Sequence, residues 1–452
     1  MTNDHHVFQS LSVKAEKLVQ KQRDFFNTGT TLSVEWRKQQ LIKLREAIDK
    51  FADKIADALW ADLHREKSLS KGTETDLLYN DIAYFLENLD SWTAPEKRKG
   101  NAISEAYLHK QPKGVVLIIA PFNYPVQLAI RPLIAAIGAG CTTIIKPSEA
   151  TENSAQVIEE IVSSVFPPEF ATVVLGDGAT CTALLEQRFD HIFYTGGTQI
   201  GKIIMAAAAQ HLTPVTLELG GQSPCYIDEG VDIDEAVGKI VMPKFINNGQ
   251  TCITVNHLIL HEKIKDEFTK KLIAAVEATF TRNPKSNPLY ARIVTKKHWN
   301  RVHRLVKATK GKILYKGDDE DDHDDKFLSP YIVEIEPEDS LLEEELFAPV
   351  LPILTVKNGQ EAIQLIKDSG ERPLASYIFS NDKALTDKFV NEIIAGGTVI
   401  NDVLVQYFNN DLPFGGVGNS GMGRTQGKYG FDAFTHEKPV CVSKSPKGIF
   451  SQ

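Results

Sequence analysis

Cys252 ends the run Asn247-Asn248-Gly249-Gln250-Thr251-Cys252, a polar turn containing glycine. A thiolate is a strong nucleophile, and its pKa falls beside a helix N-terminus or a positive group. Glu218 closes the strand-like run Val215-Thr216-Leu217 and opens Glu218-Leu219-Gly220-Gly221. A carboxylate at the carboxyl end of a central parallel strand faces the ligand crevice, where it can act on a proton. Asn123 stands between Pro121 and Pro125, whose rings pin the backbone on either side. An amide fixed there can donate to a developing oxyanion. Lys146 and Glu149, in Lys146-Pro147-Ser148-Glu149, follow a second β-branched run and suit the hydroxyls of a ribose. Gly196, Gly197, Thr198 and Gly201 lie where a run ending at Tyr194 gives way to a helix, a setting for an anion at a helix N-terminus. The literal G-x-G-x-x-G, from Gly416 to Gly421, has no strand–turn–helix around it and reads as a loop. Each residue also has a plain reading: a packed cysteine, a capping acid, a turn asparagine, a surface ion pair. Taken singly, the residues leave both readings open.

The elements that would position these residues come from periodicity. Apolar residues at steps of three and four predict an amphipathic helix over 33–64 with Ser33 as N-cap, and a second helix over 76–89. From 114 to 220, short runs rich in Val, Ile and Thr (115–119, 143–145, 172–175, 191–194, 215–217) alternate with helical stretches (125–139, 154–165, 180–188, 200–210). That alternation predicts a parallel sheet covered on both faces. A second α/β unit follows, with a strand over 255–260 and helices over 265–280, 360–367 and 385–394. The acidic stretch 317–326 lacks the glycine and spaced glutamate of a calcium loop and reads as a solvated surface loop; no metal site is expected.

Composition narrows the class. The 452 residues suffice for two or three domains, and the formal net charge of −9 argues against a nucleic-acid partner. No stretch approaches the ~20 apolar residues of a membrane helix. Residues 1–10 show no signal-like apolar run, and 444–452 no tail anchor. The five cysteines are few and odd in number, which suits a reducing compartment with one reactive thiol and makes the cytoplasm the expected location.

Together these motifs resemble the aldehyde dehydrogenase superfamily, most closely its class 3, fatty-aldehyde-like branch in a soluble form. They occur in the family's order: PFNYP at Pro121, KPSE at Lys146, YTGGTQIG at Tyr194, ELGG at Glu218, NNGQTC at Asn247, EELFAPV at Glu344 and PFGGVGNSGMG at Pro413. The resemblance spans about 41–439. It implies an aldehyde dehydrogenase-like α/β fold: a parallel-sheet cofactor domain (1–101 and 114–219), an α/β catalytic domain (220–430) and a small bridging β region (102–113 and 431–452) through which homodimers form.

It further implies oxidation of an aldehyde, medium-to-long aliphatic or aromatic, to an acid through a cysteine thiohemiacetal and thioester. By resemblance Cys252 is the nucleophile, Glu218 the general base, and Asn123 the oxyanion-hole amide beside the Cys252 N–H. Lys146 and Glu149 match residues at the adenosine ribose. Gly196, Gly197, Thr198 and Gly201 match the loop near the pyrophosphate, and Glu345 and Phe347 match residues at the nicotinamide ribose and ring. Glu149 would accept from a 2′-hydroxyl and repel a 2′-phosphate, so NAD is the expected cofactor, with NADP also accepted.

Three positions depart from the family pattern. Gly197 replaces a common serine, Phe122 a frequent tryptophan, and Ala348 a glycine, which would disfavour a positive φ there. Rival readings are a CoA-acylating aldehyde dehydrogenase, against which Glu218 argues; a cysteine hydrolase, for which only His257 and His261 lie near Cys252 in sequence; and a non-catalytic binding protein on the same fold.

Overall fold

The computed structural model describes residues 2–101, 103–370 and 372–444. Three sheets organise the chain. The first has six strands in the order Gly421–Met422, Val215–Glu218, His191–Thr195, Val115–Ile119, Thr142–Lys146, Ala171–Val173. All but Gly421–Met422 run parallel. The chain leaves Val115–Ile119 toward one edge and returns to its other side at His191–Thr195. The carboxyl ends of those two strands therefore flank the switch point, where a sheet of this kind opens a ligand crevice.

Alternation along the strands divides the packing. Val116 and Ile118 join a core with Leu44, Ile48, Leu59, Ile82 and Leu133, whereas Val115, Leu117 and Ile119 join one with Ala15, Val19 and Ile204. The apolar runs are continuous because both faces are covered.

The second sheet has seven strands: Lys312–Lys316, Tyr331–Glu334, Val350–Val356, His257–His261, Pro224–Ile227, Ala375–Phe379, Gly397–Ile400. Only its edge strand Lys312–Lys316 is antiparallel to its neighbour. The third sheet joins Glu96–Asn101, Ser104–Pro112 and Thr435–Ser443, all antiparallel. The expected bridging segments fall here, although Ala102 and 445–452 lie outside the described residues.

Several expectations need correction. The helix expected over 33–64 is two, Val34–Lys50 and Ala52–Leu63, meeting at Phe51. Leu44, Ile48, Ile55 and Leu59 are all buried, so one apolar stripe runs across the break and periodicity does not register it. Ser33 does cap the first helix, accepting from the Trp36 N–H. Helix Asp76–Thr93 is preceded by a π-helical turn, Lys71–Thr75. The opening helix, Thr2–Asn27, has no counterpart in the sequence reading. It docks through Ala15, Val19 and buried Gln22, which donates to the Thr143 carbonyl at 2.9 Å.

The acidic stretch is not a freely solvated charge run. Asp318 pairs with Arg282, Asp322 with Lys285, Asp324 with Lys296, Asp325 with Arg292 and Glu320 with Lys316, while Asp321 accepts from the Tyr331 hydroxyl. Among the described residues no helix is long and apolar enough to cross a membrane.

Candidate active site

Parallel strands send their carboxyl ends to one edge, so the candidate residues of the first half gather there. Glu218 and Lys146 are the last residues of their strands, and Asn123 and Gly196 lie just past theirs. Cys252 arrives from the other half of the chain. Helix Ile233–Phe245 ends, and the turn Ile246–Gly249 carries the backbone to the same edge. Asn247 and Asn248 adopt left-handed conformations (φ 53° and 57°), followed by Gly249 at 71°. A Cβ at Gly249 would sit 2.2 Å from the Ala348 carbonyl oxygen, so the turn requires glycine.

Side chains hold this strained turn in place. Gln250 Nε2 donates to the Asn247 and Arg292 carbonyls at 3.0 and 2.9 Å, and Gln250 Oε1 accepts from the Val294 N–H at 2.9 Å. Asn248 Nδ2 donates to the Ala291 carbonyl at 3.1 Å.

Cys252 and Glu218 line one cavity, mostly apolar, with Tyr124, Phe193, Leu374 and Tyr407. Glu218 is 4% exposed, and neither of its carboxyl oxygens has a hydrogen-bond partner among the described residues. Burial raises its pKa well above the ordinary value, against the pull of Arg424. Burial likewise pushes the Cys252 thiol up to about 12, with Glu345 and Glu218 adding to it. The turn delivers the sulfur to an apolar space facing two carboxylates, the opposite of the positive setting that lowers a thiol pKa. Neither nearby histidine reaches the cavity. His257 lines a separate one beside Gln222 and Pro373, where burial lowers it to about 4, and His261 faces Glu229 at 3.8 Å. The cysteine-hydrolase reading lacks its base.

Asn123 is 3% exposed, and its Nδ2 donates to the Gln250 carbonyl at 3.1 Å, which sets the amide against the cysteine turn. Behind it lies a buried network that the sequence reading missed. Arg65 donates to the Asn123 carbonyl and, at 2.8 Å, to Asn247 Oδ1. It pairs with Glu74 at 2.6 Å, and its guanidinium lies 4.6 Å from the centre of the Tyr124 ring. Glu74 Oε2 accepts from the Gln127 N–H at 2.6 Å. Arg65 follows the helix end at left-handed His64, and Glu74 sits on the π-helical turn. Neither lies on an apolar stripe, so no periodic signal marks them.

The remaining candidates flank this centre. A Cβ on Gly220 would lie 2.0 Å from Glu345 Oε2, so the missing side chain admits the Glu345 carboxylate. The Glu345 carbonyl accepts from Arg301 at 3.0 Å, and the Phe347 carbonyl meets His298 Nε2 at 3.0 Å. Phe347, not Ala348, carries the positive φ, 51°, so alanine is accommodated where the sequence suggested strain. Phe122 packs edge-on against Phe347 at 5.9 Å. Lys146 is 3% exposed and donates to the Pro147 carbonyl and to Glu149 at 2.7 and 3.1 Å. Gly197 caps helix Thr198–Ala209 without a side-chain bond, and the space at its Cβ position is open. The first-turn amides and this gap fit the phosphate of a dinucleotide. Thr198 Oγ1 donates to the Asn419 carbonyl at 3.3 Å. Gly201 lies against Leu219, where a Cβ would come within 2.9 Å of that side chain. The stretch 416–421, read as a loop, ends by pairing Gly421 with Glu218, and the Leu219 N–H donates to the Ser420 carbonyl at 3.1 Å. It fences the strand end that carries Glu218.

The chain is similar to known proteins over nearly its whole length. The model of the aldehyde dehydrogenase family matches residues 5–440. The rat protein "Aldehyde dehydrogenase family 3 member A2" is 40% identical over 437 residues, covering 96% of this chain and 89% of that one. The dog protein "Aldehyde dehydrogenase, dimeric NADP-preferring" is 39% identical, covering 95% of this chain and 94% of that one. A solved structure of Staphylococcus aureus AldH in a substrate-bound state superposes with a TM-score of 0.93 at 38% identity, over 96% of this chain and 95% of that one.

Proposed function

This chain belongs to the aldehyde dehydrogenase family and oxidises aldehydes with NAD or NADP, and we propose that Cys252, Glu218 and Asn123 carry the reaction. One observation supports this most: an unpartnered, buried carboxylate shares an apolar cavity with a cysteine. The Cys252 thiol adds to the aldehyde, Sγ bonding to carbon and its proton passing to the carbonyl oxygen, to give a thiohemiacetal. The Asn123 amide and the Cys252 N–H donate to its oxygen, each donor lowering the barrier by about 3 kcal/mol. NAD(P), held by the residues named below, would supply the hydride acceptor; loss of that hydride and of the hydroxyl proton to solvent would leave a thioester on Cys252. Glu218, with its raised pKa, then takes a proton from water, and the water oxygen attacks the thioester carbon. The acid departs and the thiol is restored.

In this reading Gly196, Gly197, Thr198 and Gly201 receive the pyrophosphate, Lys146 and Glu149 the adenosine ribose, and Glu345 and Phe347 the nicotinamide ribose and ring. Residues 1–101 and 114–219 form the cofactor domain and 220–430 the catalytic domain, with 102–113 and 431–452 bridging a homodimer. The exposed three-stranded sheet supports that dimer, and the dog relative's name includes "dimeric". Glu149 favours NAD over NADP. The apolar cavity favours aliphatic or aromatic aldehydes, and the five unpaired cysteines suit the cytoplasm.

The reading is tested by Cys252→Ala, which should end NADH production across a series of aldehydes of graded length while NAD binding persists. Turnover by this variant would refute the nucleophile assignment. A higher kcat/KM with NADP than with NAD would refute the cofactor preference.

A further inference from the structure

The acidic stretch 317–326 falls into two kinds of ion pair. Asp318–Arg282 and Asp324–Lys296 are exposed on both sides, and among the described residues neither cation bonds to the segment 290–294; Arg282 reaches only Glu277 besides, at 3.5 Å. Asp325 differs. Its partner Arg292 is buried, with Nε donating to Asp325 at 2.9 Å and the guanidinium 5.2 Å from the centre of the Phe327 ring. Arg292 folds back on its own segment and donates to the Tyr290 and Lys285 carbonyls, each at 2.9 Å.

The segment so fixed is the template for the cysteine turn. Its Ala291 and Arg292 carbonyls accept from Asn248 and Gln250, and its Val294 N–H donates to Gln250 Oε1. On its other side the Arg292 N–H donates to the Leu63 carbonyl at 2.8 Å, two residues before Arg65, which holds the Asn123 backbone. One short segment therefore fixes both the turn that aims Cys252 and the elbow that sets Asn123. That turn includes three consecutive left-handed residues, a conformation that persists only where surrounding bonds over-determine it.

We propose that Arg292, anchored by Asp325, is a positioning residue for the nucleophile, and that the acidic loop serves as the outer buttress of the active site. It acts through backbone carbonyls and touches neither substrate nor cofactor. The inference rests on the reading of Cys252 as nucleophile.

The test compares Asp325→Asn, Arg292→Lys and Arg292→Ala with Asp318→Ala and Asp324→Ala, whose cations make no bond to the segment 290–294. Three readouts are taken: kcat and KM for the aldehyde the parent turns over fastest, the Kd for NAD, and the rate of Cys252 alkylation by iodoacetamide in the enzyme without cofactor. In Arg292→Ala, kcat should fall about tenfold and alkylation should speed up about threefold as the turn loosens, with KM and the NAD Kd within twofold of the parent. Asp325→Asn should fall by about threefold in kcat, and Arg292→Lys should recover part of the loss. Asp318→Ala and Asp324→Ala should match the parent. If Arg292→Ala does not fold, Asp325→Asn and Arg292→Lys decide. Parent-like kcat and alkylation in both would overturn the proposal, as would equal losses in the two control variants, because the loop would then act only through general stability. Failure of the active-site reading shows itself separately, as turnover surviving in Cys252→Ala.

Discussion

Glu74 and Glu218 are both buried glutamates within reach of the same catalytic edge, yet they are treated in opposite ways. Glu74 has each oxygen occupied, one by Arg65 and one by the Gln127 N–H. Glu218 has neither oxygen occupied. Burial raises both pKa values, Glu74 to about 7 despite Arg65 beside it, and Glu218 well above the ordinary range. A buried polar group without a partner costs stability, and a fold keeps one only where something else requires it. The satisfied carboxylate fixes a wall, and the unsatisfied one is the base of the proposed mechanism. The contrast separates scaffold from chemistry without reference to any ligand.

The sharpest test of that contrast is Glu218→Gln. It should lower kcat by about a hundredfold or more, the ordinary range for loss of a general base, and let an acyl adduct on Cys252 accumulate under turnover, seen by mass spectrometry. The same variant should be more stable than the parent, with a Tm a few degrees higher at pH 8, because a neutral amide replaces a carboxylate that burial disfavours. The sign with pH follows from the raised pKa. The parent loses stability as pH rises above the unfolded-state value of 4.5, so the gap between variant and parent should widen with pH and close near pH 4. A gap of constant size would mean that Glu218 is not the strained group.

Glu74→Ala should do the reverse on the stability axis. Removing one partner of a buried pair strands Arg65 and should cost about 3–5 kcal/mol, read as a lower midpoint in urea unfolding. If Glu74→Ala were as stable as the parent, the division between scaffold and chemistry would break down.

Asn123→Ala should match the lower end of those effects and be confined to rate. A loss of about 3 kcal/mol of transition-state stabilisation would appear in kcat, with the NAD Kd unchanged.

A last test reads thiol reactivity. With the Cys252 pKa pushed up to about 12, the rate of iodoacetamide alkylation without cofactor should rise about tenfold per pH unit from pH 7 to 9, because only the thiolate reacts. A plateau in that range would show a thiol poised near neutrality instead.

Much of this molecule was legible in the sequence. The runs at Val115–Ile119 and His191–Thr195, and helices Pro125–Ala139 and Lys265–Phe280, follow from composition and period, since a strand buried on both faces must be continuously apolar. Ser33 read correctly as a cap because capping is local. The positions Cys252, Glu218 and Asn123 stood out because strand ends and glycine turns are also local signals. Arg65 and Glu74 did not, since each is a charged residue whose burial depends on partners that only the folded chain brings together. The acidic stretch misled for the same reason: nothing within 317–326 indicates that Arg292 waits beneath Asp325.

The sequence by itself therefore determined the alternation of strand and helix, the family motifs and the candidate reacting groups, because each is written in neighbouring residues. Tertiary structure alone decided the state of those groups. It decided that the Cys252 thiol is raised and not depressed, that Glu218 stands without a partner, that Phe347 and not Ala348 takes the left-handed backbone, and that Arg292 braces the cysteine turn. Electrostatic environment and hydrogen-bond partnership arise between residues far apart in the chain, and local pattern carries no record of them.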